Sequence, residues 1–273
     1  MNSTATGGSV PRCRCHRCSA VAGAGRREET FGPSTPARRI SGYRQTVSQR
    51  CGLVRTSLTW TTRTGLATDL VYDVLADRKD RHVGAVRLRV KPRWGGTARI
   101  TDFLDGRGAR RISATANKPE GPVAADRIAV TFRTQGTGVD GAVVSTLRHD
   151  KGVPAYHRSR GGTGLTAHQS ATMPVHAGRW YGFTTFVGVG TRLTSRQPVP
   201  NAADESQRAA DRDSERLLGR HKAEWDRLWR RSRRYGAADG PGEGGGAAGV
   251  LQARPASGRS GPAGPSGARP GSR

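Results

Sequence analysis

The amino-acid sequence predicts a mainly β protein, in which an antiparallel β-sandwich is followed by one linker α-helix and flanked by disordered termini. Apolar and polar residues alternate with period two between residues 58 and 106, as Leu88, Arg89 and Val90 show. Such alternation is typical of half-buried strands. Turn residues interrupt it at short intervals, and a helical period appears only after Asn201. Nine or so short strands with regular turns favour a sandwich.

Composition divides the chain into four parts. Hydrophobic residues make up 34% of the 273 residues and aromatic residues 5%, and the shortage lies at the two ends. We therefore expect a disordered basic arm over 1–42, the β-sandwich over 43–195, the linker helix over 196–234 and a disordered low-complexity tail over 235–273. The remaining stretch of about 190 residues is long enough to bury a sandwich core.

The strands are expected in order along the sandwich segment. Two lie in 43–62 with a break near Gly52, and single strands follow over 68–77 and 81–93. Three further pairs come next, namely 97–106 with 109–118, 126–138 with 139–149, and two strands within 167–191 that turn at His176–Gly178. Residues 150–166 contain several glycines and are expected to form a loop.

The segment after Asn201 has the three- and four-residue apolar spacing of an amphipathic helix. Asn201 is the expected N-cap, with Asp204 and Glu205 in the first turn. The apolar stripe consists of Ala210, Leu217, Leu218, His221, Trp225, Leu228 and Trp229. From His221 onward, this stripe is expected to form a domain interface, either with the sandwich or, in a longer chain, with a following domain.

The formal net charge is +25, and a positive field of this size favours nucleic acid or an anionic membrane as a partner. However, only five of the 46 basic residues are lysines, which is the composition expected from arginine-rich codon usage. Arg87, Arg89 and Lys91 alternate with apolar residues, which places them on a solvated face. No apolar run is long enough for a membrane helix, and no secretory signal is readable.

Three of the four cysteines lie close together, as Cys13, Cys15 and Cys18 around His16. Thiolates and an imidazole this close could bind zinc. A structural zinc site needs a second pair of ligands brought in by an intervening fold, and no such pair follows at a suitable spacing. We therefore expect adventitious metal binding only, and no cofactor. Cys51 lies in a predicted strand and is expected to be a small buried residue.

Five stretches carry a resemblance to a known family, and they are YRQTVSQRCGLVRTSLTWTT, TDLVYDVLADRKDRHVGAVRLRVKPRW, ITDFLDG, GRWYGFTTFVGV and HKAEWDRLWRR. In order and spacing they resemble the N-terminal domain of glycoside hydrolase family 65, especially its acid α,α-trehalase-like members. The family also contains maltose and kojibiose phosphorylases. The resemblance covers residues 43–232, about 70% of the chain.

The resemblance implies a super-β-sandwich, then a helical linker, then an (α/α)6 barrel that holds the catalytic glutamate. The chain ends where that barrel is expected to begin, and it departs from the family before residue 43. It is therefore expected to be a fragment, truncated or misread at both ends. Its implied partner, an α-glucoside disaccharide, would be bound through the missing catalytic domain. Family members are often secreted, but the sequence itself indicates no location.

Glycoside hydrolysis needs two carboxyl groups that flank one bond, roughly 5 Å apart for retention or 6.5–9.5 Å for inversion. Asp102 and Asp105 are the candidate pair, but residues i and i+3 of a strand point to opposite faces. Asp105 is instead expected to cap a turn. No catalytic residue is expected in this chain.

Three tryptophans are the candidate carbohydrate-binding residues: Trp60, Trp94 and Trp180. Indole rings stack on sugar rings, whereas packing in the core or at its rim is the alternative use. The sequence thus predicts a non-catalytic sandwich domain of a trehalase-like glycoside hydrolase, which binds carbohydrate or supports the catalytic barrel. The alternative is a basic nucleic-acid-binding protein with disordered arginine-rich arms, whose binding would weaken steeply with salt.

Overall fold

The computed structural model describes residues 12–13, 17–21, 29–115, 126–154 and 156–236, with side chains for 29–115, 126–154 and 156–232. Within those residues the protein forms fourteen β-strands, arranged in two antiparallel sheets, and two α-helices. The prediction of a mainly β sandwich followed by a helical linker is confirmed.

Fourteen strands make up the two sheets. In chain order they are β1 (Arg12–Cys13), β2 (Arg17–Val21), β3 (Glu29–Phe31), β4 (Ile40–Ser48), β5 (Leu53–Thr61), β6 (Ala67–Ala76), β7 (Val83–Pro92), β8 (Gly96–Asp105), β9 (Ile112–Ala114), β10 (Arg127–Thr134), β11 (Asp140–His149), β12 (His157–Gly161), β13 (Thr166–Val175) and β14 (Tyr181–Thr191). The larger sheet has the order β4-β5-β6-β7-β14-β11-β10-β9. The smaller sheet has the order β12-β13-β8-β2-β3, and β1 also pairs with β8.

An apolar core fills the space between the sheets. Leu70 on β6 and Leu88 on β7 point into it from the larger sheet, and Ile100 on β8 and Met173 on β13 meet them from the smaller one. All four side chains are essentially inaccessible to solvent. Each such burial contributes roughly 1.5–3 kcal/mol to the hydrophobic stabilisation of the fold. The period-two pattern of the sequence is therefore the pattern of this core.

Helix α1 (Pro198–Asp211) covers part of the outer face of the larger sheet. Its buried side chains are all small, namely Ala202, Ser206, Ala209 and Ala210. Beneath it β14 presents Gly188 and Gly190, and a Cβ placed on Gly188 would lie 2.0 Å from the Ala202 carbonyl oxygen. The Ser206 hydroxyl donates a hydrogen bond of 2.8 Å to the Phe186 carbonyl oxygen. The helix therefore lies directly against the backbone of the sheet.

The start of the helical linker differs from the expectation. The N-cap is Gln197 rather than Asn201, and Pro198 occupies the first helical position. Proline is favoured there because an N–H group at this position would have no intrahelical hydrogen-bond acceptor, so its absence costs nothing. The helix therefore begins four residues earlier than its apolar spacing predicts, and Asp204 and Glu205 lie beyond the first turn.

The linker is two helices, not the single helix expected. A single residue, Arg212, separates α1 from helix α2 (Asp213–Gly236). Asp213 has a φ of 60°, in the left-handed region, and this residue changes the direction of the chain. Its carboxylate accepts hydrogen bonds from the N–H groups of Glu215 at 2.9 Å and Arg216 at 3.0 Å. Asp213 therefore caps the new helix while it interrupts the old one.

Two strand assignments also differ from the expectation. The segments 97–106 and 109–118 do not pair with each other, because β8 pairs with β13 and β2 while β9 pairs with β10. The turn between them carries the chain from one sheet to the other, and alternation alone cannot distinguish that crossing from a hairpin. The expected loop over 150–166 contains β12, an edge strand paired with β13.

The sandwich begins before the expected boundary at residue 43. Strand β3 and the first residues of β4 lie within the arm that was expected to be disordered, and β1 and β2 pair with β8. The structure therefore places strands within the segment that was expected to be a disordered arm, and these strands are too short for their alternation to be recognised in the sequence. The expected tail lies outside the described residues from 237 onward.

Candidate functional site

Two of the three tryptophans predicted to bind carbohydrate lie in the core. Trp60 on β5 is 1% exposed and packs against Phe31, with ring centroids 6.0 Å apart. Trp94, which follows β7, is 6% exposed, and its indole N–H donates a hydrogen bond of 2.9 Å to Thr68 Oγ1. Both rings are surrounded by protein, so core packing accounts for them.

Trp180 is the exposed member of the three. It lies immediately before β14 and is 47% exposed. Arg89 and Lys91 on β7 place their cationic groups 5.7 Å from its ring centroid. These cation–π contacts hold the ring on the outer face of the larger sheet while much of it stays accessible. A carbohydrate contact at Trp180 remains a prediction.

The predicted interface of α2 packs against the turn between β4 and β5. Trp225 and Trp229 stack with ring centroids 6.3 Å apart, and the Trp229 indole N–H donates a hydrogen bond of 3.0 Å to the Arg50 carbonyl oxygen. Gly52 in that turn has a φ of 57°, and a Cβ there would lie 2.2 Å from Trp225 Nε1. The turn therefore accommodates the indole ring only because residue 52 is glycine.

His221 fixes the middle of α2 on the loop after β6. Its ring is fully buried, and Nδ1 accepts a hydrogen bond of 3.0 Å from the backbone N–H of Arg78. Next to it the buried carboxylate of Asp77 forms a salt bridge with Arg220. Leu228, the remaining predicted interface residue, is 37% exposed. The sandwich is thus the partner of three of the four predicted interface residues.

Asp102 and Asp105 have separate structural partners. Asp102 is fully buried between the sheets, where its Oδ2 accepts hydrogen bonds from Ser145 Oγ at 2.5 Å and Gln169 Nε2 at 3.0 Å. Asp105 accepts a hydrogen bond of 3.0 Å from the backbone N–H of Arg107 and pairs with its guanidinium. The expected turn-capping role of Asp105 is confirmed, and Asp102 lies where a glycoside could not reach it.

The cysteines fall into two cases. Cys51 lies in the turn between β4 and β5 and is only half-buried, and its thiol donates a hydrogen bond of 3.0 Å to Ser48 Oγ. The expectation of a buried strand residue is therefore wrong, because the strand ends earlier. The side chains of the Cys13–Cys18 cluster lie outside the described residues. Among the described side chains, no group of three or more His, Cys, Asp or Glu residues could hold a metal ion.

A polar cleft that the sequence pattern does not predict lies at the edge of the sandwich, next to Trp60. Glu29 on β3 accepts hydrogen bonds from Arg39 Nη1 at 2.8 Å and from the backbone N–H of Arg63 at 3.0 Å. The cleft has a volume of about 370 Å³. Two of its charged residues belong to the arm that was expected to be disordered, so the sequence pattern could not bring them together.

Arginines on the outer face of the larger sheet are paired with carboxylates. Four pairs have N–O distances between 2.6 and 2.9 Å, and they are Arg55–Asp73, Arg87–Asp150, Arg93–Asp69 and Arg133–Asp140. A face that binds nucleic acid needs cations that are available to phosphates. These pairs therefore do not favour the nucleic-acid alternative. No helix in the described part of the chain is long and apolar enough to cross a membrane.

The Arg93–Asp69 pair predicts that part of the stability of the fold depends on pH. Burial raises the pKa of Asp69, but hydrogen bonds from Arg93 and Thr59 outweigh that effect and the pKa is lowered overall. A carboxylate with a lowered folded pKa stabilises the fold above its unfolded pKa of about 3.9, and this contribution is lost as the pH falls through the folded value. We expect Asp69→Asn to lower the free energy of unfolding at about pH 7 and much less at about pH 2. Urea unfolding at both pH values measures this, and an equal loss at both would contradict it.

Comparison with known proteins agrees with the architecture. The model of "Glycosyl hydrolase family 65, N-terminal domain" matches residues 28–228. The cell wall acid trehalase of Arthroderma benhamiae is 24% identical over 195 residues, which are 68% of this chain and 18% of the trehalase. A protein described as a kojibiose phosphorylase from the human microbiome has a TM-score of 0.62 and 12% identity, over 78% of this chain and 27% of its own. At that identity the likeness shows the fold alone, and the chain spans less than a third of either relative.

The family match covers most of the folded part of the molecule. It begins one residue before β3 and ends within α2, so it takes in twelve of the fourteen described strands and the docked part of the linker. The match thus includes both sheets, the close contact of α1 with β14 and the packing of α2 on the turn between β4 and β5. The chain therefore belongs to glycosyl hydrolase family 65, and its residues 28–228 form the N-terminal domain of that family.

Proposed function

We propose that this chain is a non-catalytic module of a family 65 enzyme, in which the sandwich and its linker helices support a catalytic domain that acts on an α-glucoside disaccharide. The observation that carries the proposal is the attachment of α2. The helix is fixed to the sandwich by Leu217 near its start, by His221 in its middle and by Trp225 and Trp229 towards its end. A helix held at three places has a defined direction, as a support for another domain requires.

The substrate class in this proposal comes from the relatives. One is named for trehalose and the other for kojibiose, and both sugars are disaccharides of α-linked glucose. Because this chain covers only 18% and 27% of those two proteins, their activities are brought to it only as part of the proposal.

The described carboxylates support a non-catalytic role. A general acid must reach the glycosidic oxygen from a pocket that tunes its pKa. Asp102 is enclosed in the core, whereas Asp105 and Asp69 are engaged with neighbouring arginines. The contacts of these three carboxylates stabilise the sandwich.

We expect the purified chain to release no glucose from trehalose, maltose or kojibiose, and no glucose 1-phosphate when phosphate is added. The physical reason is that Asp102, one member of the candidate carboxylate pair, is enclosed in the core, where a glycosidic oxygen cannot reach it. Both products can be measured by coupled enzyme assays against a blank without protein. Turnover above the blank that Asp102→Asn or Asp105→Asn abolishes would contradict the prediction.

A second experiment tests the supporting role itself. A family 65 catalytic barrel would be produced alone and fused behind α2 of this chain. The fusion is expected to be the more active and the more heat-stable protein, and Trp225→Ala in the fusion is expected to remove part of that gain because α2 loses its contact with the β4–β5 turn. Equal activity and equal melting temperature of the barrel with and without this chain would overturn the supporting role.

A further inference from the structure

The polar cleft beside Trp60 has the dimensions of a small-ligand site. Its volume of about 370 Å³ lies within the range of roughly 300–1,000 Å³ that is usual for ligand pockets. The lining residues are Glu29, Thr30, Ser34, Thr35, Pro36, Arg39, Trp60 and Arg63. They come from β3, from the segment that joins β3 to β4, and from the end of β5 and the turn that follows it, so both sheets contribute to the walls.

The charged groups of the cleft are held in place before any ligand binds. The side chains of Glu29 and Arg39 are 19% and 17% exposed, and they are joined by a salt bridge of 2.8 Å. The backbone N–H of Arg63 reaches both carboxylate oxygens of Glu29, at 3.0 and 3.1 Å. A preformed arrangement of this kind lowers the entropy that a ligand loses on binding.

Glu29 can accept further hydrogen bonds and Arg39 can donate further ones. A carboxylate offers about four acceptor positions, and two donors occupy the carboxylate of Glu29. A guanidinium has five N–H donors, and one of those of Arg39 is used by Glu29. An acceptor and several donors thus lie side by side at the wall of the cleft.

This combination selects a neutral, hydroxyl-rich ligand. The charges of Glu29 and Arg39 largely cancel within their salt bridge, so an ion gains little from the pair, whereas each hydroxyl of a sugar can both donate and accept. Adjacent hydroxyls of a pyranose ring can therefore engage the carboxylate and the guanidinium together, while the exposed ring of Pro36 offers apolar surface to its C–H groups. We propose that this cleft is a binding site for a neutral sugar. The proposal does not depend on the supporting role of the chain.

The test is a titration of the chain itself with trehalose, maltose and glucose, followed by NMR or calorimetry. Glucose 6-phosphate and glucosamine serve as anionic and cationic probes. Saturable binding of the neutral sugars is expected, with weaker binding of both charged probes. Glu29→Gln is expected to weaken binding at least about tenfold, since it removes a charged acceptor and releases Arg39. Ser34→Trp, at an exposed position of the lining, is expected to abolish binding by filling the cleft.

Two controls make the outcome decisive. Asp73→Asn removes a carboxylate from a comparable ion pair, with Arg55, on the outer face and is expected to leave binding unchanged. The Ser34→Trp variant removes none of the hydrogen bonds described above, so it decides the question if Glu29→Gln disturbs the fold. The proposal is overturned if the unmodified chain binds no neutral sugar saturably, or if both cleft variants bind as it does. Loss of binding in Trp180→Ala alone would also overturn it, because the site would then lie on the outer face.

Discussion

Replacing Gly188 by valine is expected to detach α1 from the sandwich and to destabilise the protein by about 3 kcal/mol or more. A Cβ at this position would lie 2.0 Å from the Ala202 carbonyl oxygen and 2.8 Å from the Ser206 backbone nitrogen. Both atoms belong to the helix backbone, so no side-chain rotation relieves the clash. The helix must move away, and the hydrogen bond from Ser206 to Phe186 is then lost. Urea unfolding followed by circular dichroism gives the free energy, and hydrogen exchange locates the change in α1.

Gly84→Val on the neighbouring strand β7 is the matched control. A Cβ there would lie 3.5 Å from the Leu75 carbonyl oxygen, which is an ordinary contact. Valine also suits a strand, so we expect a change within about 1 kcal/mol. Equal destabilisation by the two valines would mean that the close approach of α1 is not the reason for the glycine at position 188.

Leu217→Ala is expected to have the second large effect, a loss of about 2–5 kcal/mol in the free energy of unfolding. Leu217 is fully buried and belongs to a small cluster with Ala85 and Phe186 under the start of α2. The truncation leaves a cavity where α2 meets the outer face of the sheet. Faster hydrogen exchange is expected along α2, together with a lower melting temperature.

Leu228→Ala on the same helix provides the comparison. Leu228 is 37% exposed, so its truncation removes less apolar burial, and a change within about 1 kcal/mol is expected. The two variants make the same chemical change in the same helix and differ only in burial. If both lowered stability equally, the described attachment of α2 through its first half would be contradicted.

The sequence could predict strands β5, β6 and β7 of the larger sheet because one face of each is partly accessible to solvent. The stretch from β5 to β8 alternates cleanly, and Leu70 and Leu88 lie in the core as that alternation requires. Strand β12 could not be found in this way, since all of its side chains are exposed or half-exposed and carry no apolar period. The crossing from β8 to β9 was missed because the alternation does not say which sheet a strand joins.

The candidate site was harder to predict than the fold. An isolated tryptophan in a sequence gives no sign of its environment. Only the folded structure distinguishes the buried Trp60 from the exposed Trp180. The aromatic stripe of α2 was predictable from its spacing, although its partner was not. The polar cleft depends on Glu29 and Arg39 lying beside the end of β5, a contact between distant parts of the chain that no local pattern reports.

Strand β12 also affects whether two copies of the protein can associate through their sheet edges. It lies at an edge of the described part of the smaller sheet, where a further strand could in principle add by backbone hydrogen bonding. Arg158 and Arg160 stand exposed on this strand. A second copy that extended the sheet there would place its own arginines opposite these, and charged side chains on an edge strand are a common means by which proteins disfavour such pairing. The basic composition that first suggested nucleic acid thus helps to keep copies of this protein apart.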